Sequence, residues 1–135
     1  MSDFDATQET LVSNPLFDAA WYLQRYPDVA SAGLDPLAHY LHGGAQEGRD
    51  PNPLFDTDWY LQQHPDVAAS GMNPLAQWIA EGASKGYRPH PSFDPEWYLR
   101  AHPDVARARM NSLVHYLLFG HKEGRHTNSG HRGQP

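Results

Sequence analysis

The sequence contains no cysteine, which removes disulfide scaffolds, thiolate zinc sites and cysteine nucleophiles in one step. It has no long apolar run either, and nothing in it approaches the roughly 18–20 residues a membrane-spanning helix requires. The opening MSDFDATQET carries no basic patch and no apolar segment, so it does not read as a secretory signal peptide. Alternation of apolar and polar residues is missing throughout, so no sheet is expected. Serines are few, none stands in a Gly-x-Ser-x-Gly setting, and no glycine-rich phosphate loop precedes a helix. No motif for nucleophilic or phosphate chemistry remains, and the chain reads as a non-enzyme with no cofactor.

What the chain does have is punctuation and aromatic mass. Its 12 Pro and 11 Gly leave no stretch uninterrupted for long, so the elements must be short. Four Trp and seven Tyr argue against disorder, since disordered chains are poor in aromatics.

The dominant signal is an internal repeat. Phe17, Phe55 and Phe93 are spaced by 38 residues, and so are Asp18/Asp56/Asp94, Trp21/Trp59/Trp97, Tyr22/Tyr60/Tyr98 and Pro27/Pro65/Pro103. The register continues through Asp28/Asp66/Asp104, Val29/Val67/Val105, Leu37/Leu75/Leu113, Gly44/Gly82/Gly120 and Gly48/Gly86/Gly124 without an insertion. Three units follow, at 14–51, 52–89 and 90–126, between a flexible segment 1–13 and a disordered polar tail 127–135. One unit alone offers too few apolar side chains for a core. The expected architecture is therefore all-α, with short helices stacked as a small solenoid-like array.

Within a unit the helix signals are local. Asp18, Asp56 and Asp94 stand at N-cap positions, where a carboxylate accepts from unpaired backbone N–H groups. Phe17 and Tyr22 then occupy the two positions of a hydrophobic staple. The prolines at 27, 65 and 103 end this helix, because the residue before a proline avoids helical geometry. Asp35-Pro36 and Asn73-Pro74 open a further helix, cap followed by first-turn proline, and Gly44, Gly82 and Gly120 are expected to end it. The third unit departs from its siblings, with Arg109 in place of Gly33 and Gly71, and reads as a capping unit.

Charge is distributed unevenly. Residues 1–99 hold four Lys and Arg against fourteen Asp and Glu, whereas residues 100–135 hold six basic residues against Asp104 and Glu123. Arg100, Arg107, Arg109, Lys122 and Arg125 form a candidate basic end patch, with Arg132 beyond it. Such a bipolar chain suits an anionic protein partner or end-to-end self-association. Nucleic acid is excluded as a partner because the first two units are acidic. Adjacent helical residues point about 100° apart, so one member of each Trp-Tyr pair faces the core. Trp is the expected core residue, which leaves Tyr22, Tyr60 and Tyr98 as candidate glycan or partner contacts. A second short helical turn, Asp28–Ala32, closes at Gly33, with Asp28 either its cap or in its first turn, and Asp28, Asp66 and Asp104 leave a calcium-dependent surface repeat open. No unit supplies the acidic cluster that calcium needs, and His39 and His42 share a helix face without a third ligand.

The pattern NPLFDAAWYLQRYPDVASAGLDPLAHYLHGGAQEGRDPNPLFD resembles a bacterial tandem repeat of the form FD-x-x-[WY]-Y-L…PDV…PL-x-H-Y-L…EGR over residues 14–126. Repeats of that kind flank glycosyltransferase and polysaccharide-biosynthesis domains and occur in large haemolysin-type surface proteins. The resemblance implies an accessory protein-binding scaffold in a cell-envelope or polysaccharide context, with no catalytic residues. A carbohydrate-binding module using the tyrosine row is the alternative. The expected compartment is the bacterial cytoplasm, with the cell surface as the alternative.

Overall fold

Asp18 opens the first helix as its position requires. Its carboxylate accepts from the Trp21 N–H at 3.0 Å, and Asp56 and Asp94 do the same for Trp59 and Trp97 at 3.1 Å. In the computed structural model, which describes residues 11, 12 and 14–128, these caps start one seven-residue helix per unit. The helices are α1 (Ala19–Arg25), α4 (Thr57–Gln63) and α7 (Pro95–Ala101). The staple closes in all three: Phe17 meets Tyr22 and Phe55 meets Tyr60 with ring centroids 5.3 Å apart, and Phe93 meets Tyr98 at 5.4 Å.

The prolines at 27, 65 and 103 do more than stop these helices. Each is the first residue of a second one: α2 (Pro27–Ser31), α5 (Pro65–Ser70) and α8 (Pro103–Arg107). The missing N–H costs nothing there, because a first-turn N–H has no helical partner. Asp28 therefore lies in the first turn of α2. The chain leaves these helices through a left-handed residue, Gly33, Gly71 or Arg109, with φ of 70°, 77° and 57°.

Asp35 and Asn73 cap α3 (Pro36–His39) and α6 (Pro74–Gln77), and Asn111 caps α9 (Ser112–His115) without a following proline. The expected stop at Gly44, Gly82 and Gly120 is where the structure differs. Each helix runs on through a wider turn, π1 (Tyr40–Gly44), π2 (Trp78–Gly82) or π3 (Tyr116–Gly120). A bond spanning five residues closes each turn, from Ala45 N–H to Tyr40 O at 3.0 Å in the first unit. The helix ends four residues later, at Gly48, Gly86 and Gly124, whose φ values of 83°, 78° and 75° suit glycine. There the Arg49 N–H reaches back to Gly44 O at 2.9 Å, a helix-ending bond repeated by Tyr87 and Arg125. Gly44, Gly82 and Gly120 are needed for a different reason. The hydroxyls of Tyr22, Tyr60 and Tyr98 lie against them, in the space a Cβ would fill.

The protein is all-α, and no strand forms among the described residues. The three helices of each unit pack against one another, and the buried side chains form one hydrophobic cluster that runs from Leu11 to Leu113. Leu11, inside the segment expected to be flexible, is buried in this cluster. Thr127 and Asn128, expected in the tail, are also engaged: Thr127 O accepts from Asp94 N–H at 2.9 Å, and Asn128 donates to Ser92 O at 2.6 Å. Val12 is exposed, and the rest of both expected ends, with Arg132, lies outside the described residues.

The first two units meet through polar links. Asn52 donates to Leu16 O at 2.7 Å, and Tyr40 Oη lies 3.3 Å from Thr57 Oγ1. The Thr57 hydroxyl in turn donates to Arg49 O at 2.8 Å, and its backbone N–H to Asp50 Oδ1 at 2.8 Å.

Candidate interaction site

The tyrosine row read as a surface is the core. Tyr22, Tyr60 and Tyr98 are fully buried, while Trp21, Trp59 and Trp97 are only partly so. The staple explains the inversion, because the N4 side chain must turn back onto the phenylalanine before the cap, leaving its neighbour on the flank. Each buried phenol has a partner 17 residues on. Tyr22 Oη and Tyr98 Oη lie 2.8 Å from Nδ1 of His39 and His115, and the Tyr60 hydroxyl donates to Gln77 Oε1. Burial pushes all three phenols above the usual tyrosine range, Tyr98 to about 12. These side chains have no face to offer a sugar ring, so they are withdrawn as glycan contacts.

The basic end patch is smaller than the sequence suggested. Arg100, Arg107, Arg109 and Lys122 are exposed. Arg125 is instead committed to Asp104 through two bonds, at 3.2 and 3.1 Å, and to Glu123 at 2.7 Å. The same clamp joins Arg49 to Asp28 at 2.9 and 2.8 Å, with the guanidinium 4.9 Å from the centre of the Tyr26 ring. Hydrogen bonding to these arginines holds Asp28 and Asp104 below the usual carboxylate range. The middle unit has Tyr87 at the arginine position, and its ring stacks on His64 at 4.0 Å. Asp28 and Asp104 are thus occupied by guanidinium. Among the described residues no group of three or more His, Asp or Glu is placed to hold a metal ion.

Asp50 is set apart from the other acids. It is half-buried where the first two units meet, and burial raises its carboxyl to about 6, against the opposing pull of the Thr57 backbone N–H.

Apart from Val12, the exposed large apolar side chains of the described residues flank the third helix of each unit. Leu34 and Met72 occupy one register position and are about half exposed, and Leu118 and Phe119 are exposed at the end of the third unit. In the first unit this face is recessed. Leu34, Asp35, Ala38, His39, His42 and Gly43 line an open, largely apolar groove of about 330 Å³. His39 is fixed there by its bond to Tyr22. The sequence signal for this site was the apolar residue that follows Gly33 and Gly71, hidden among turn residues. Sequence reasoning instead followed the aromatic residues that repeat.

Comparison with protein-family models, with curated proteins and with solved structures finds no match to this chain.

Proposed function

We propose that the chain is a non-catalytic helical repeat module that binds a protein through the apolar face of its third helices. One observation carries the reading. The residues that repeat in register are used by the fold: Asp18, Asp56 and Asp94 as caps, Tyr22, Tyr60 and Tyr98 as buried hydrogen-bonded core. The exposed apolar side chains Leu34, Met72, Leu118 and Phe119, by contrast, belong to no core. A groove lined by apolar side chains with a few fixed polar groups is the usual form of a binding site. The bacterial accessory repeats that the sequence resembles support the same reading and suggest a cell-envelope or polysaccharide context. Stacking of the three units into a continuous array is part of this proposal.

The test is site-specific photo-crosslinking in cells that produce the native chain, with the photoreactive residue at position 34 or at exposed Gln62. The expected result is a discrete protein adduct from position 34 and none from position 62. Equal labelling at the two positions, or hydrolase or transferase activity lost on mutating a repeated residue, overturns the reading.

A further inference from the structure

The third-helix face has opposite shapes in the first and last units. Where the first unit has Ala38, His42 and Gly43, the last has Val114, Leu118 and Phe119. Ala38 and Gly43 leave room where Val114 and Phe119 add bulk, while His42 and Leu118 are similar in size and differ in polarity, and Leu118 and Phe119 are exposed. The recess measures about 330 Å³, and an engineered cavity of about 150 Å³ already holds a benzene ring. It has room for a phenyl group and a neighbouring aliphatic side chain.

Both surfaces are held in place from below. The Phe119 ring rests on His115 with centroids 5.6 Å apart, and His115 is buried and bonded to Tyr98. The wall of the recess is fixed in the same way by the bond between His39 and Tyr22. Little conformational freedom is lost when such features meet, which favours association.

The two units that carry these surfaces differ in the sign of their charge. Asp35 lines the recess, where the last unit has Asn111. Exposed Arg107, Arg109 and Lys122 belong to the projecting unit, where the first has Ser31, Gly33 and Gln46. Over residues 14–51 two arginines face five acids, whereas over 90–126 five basic residues face four acids.

We propose that the groove of the first unit receives the last unit of a second copy of this chain, with Leu118 and Phe119 seated between Leu34 and Gly43. This inference rests on the interaction-module reading and names its partner. The two contacting surfaces differ, so each copy carries both halves of the contact.

Sedimentation equilibrium of the full chain across the micromolar range tests it. The native chain should reach at least twice its 15.2 kDa mass. Leu34→Glu and Phe119→Glu, both at exposed positions, should each keep the native helical circular dichroism and weaken association more than about tenfold, as for loss of an interface anchor. An equimolar mixture of the two variants should associate again, because one retains an intact projection and the other an intact groove. A native chain that stays at monomer mass, association that survives both substitutions, or a mixture that stays monomeric overturns the proposal. A monomeric chain that still forms a discrete adduct with another protein from position 34 overturns self-pairing alone. Absence of both association and adduct removes the module reading as well.

Discussion

Replacing Gly44 by alanine tests the contact that organises the first unit. Elsewhere in a helix this change stabilises by about 1 kcal/mol, because alanine is the better helix former. Here the new Cβ would overlap the Tyr22 hydroxyl, with His39 Nδ1 next nearest at 3.2 Å. The phenol must move off His39, losing a bond of about 1 kcal/mol, and must strain a filled core at a cost of about 1–3 kcal/mol. Those terms exceed the helix gain, so Gly44→Ala should destabilise by about 2 kcal/mol. Tyr22→Phe alone should cost about 1 kcal/mol, since His39 is only half-buried and its freed nitrogen can turn to water. With the hydroxyl gone the overlap disappears, and adding Gly44→Ala to Tyr22→Phe should be neutral or stabilising by up to about 1 kcal/mol. The substitution thus reverses sign between the two backgrounds, with a coupling of about 2–3 kcal/mol, large for a contacting pair. Urea unfolding of the four proteins, followed by circular dichroism, reads all the terms. Additivity of the two substitutions would refute the reasoning, as would a Gly44→Ala variant at least as stable as the native chain.

Other expectations follow from single residues. Arg109 holds a left-handed conformation (φ 57°) that Gly33 and Gly71 hold in the other units. Arg109→Gly should therefore raise stability by about 0.5–1 kcal/mol in thermal unfolding, the relief of left-handed strain less the entropy of an unfolded glycine. Burial raises the Asp50 carboxyl from its ordinary 3.8 to about 6, so folding favours its protonated form. Its stabilising effect is complete below about pH 4 and is lost as pH rises through 6, a decrease of at most about 3 kcal/mol. Burial lowers His64, His90 and His102, which act in the opposite sense and lose stability as pH falls below about 6.5. The readout is therefore the difference between the native chain and Asp50→Asn, which retains an acceptor for the Thr57 N–H. The variant should gain relative stability between pH 4 and 7, and a difference that is flat with pH would contradict the assignment.

The parts of this fold that were legible in the sequence are those decided within a few residues. The caps at Asp18, Asp35 and Asn73 and the Phe17–Tyr22 staple depend on local spacing, and all formed as read. What was misread depends on partners further away. The staple turns Tyr22 onto Phe17, but the partner that holds its hydroxyl inside, His39, lies 17 residues on. Arg125 looked like part of a basic patch because Asp104 lies 21 residues earlier, across two turns of chain. Gly44 looked like a helix stop, but the helix runs on to Gly48, which takes the left-handed conformation that ends it. The candidate site was the least legible, since it is built where the units differ: Ala38 against Val114, Gly43 against Phe119.

The placement of the repeated tyrosines in the core is what leaves the third-helix face for the proposed binding. Ultraviolet titration of the phenols tests it most directly, with circular dichroism recorded on the same samples. Of the seven tyrosines, Tyr22, Tyr40, Tyr60 and Tyr98 are fully buried, and burial raises each of them. These four are expected not to ionise at ordinary tyrosine pH values and to give their full signal only as the helical signal is lost. Ionisation of all seven at ordinary values, with native circular dichroism, would contradict that placement.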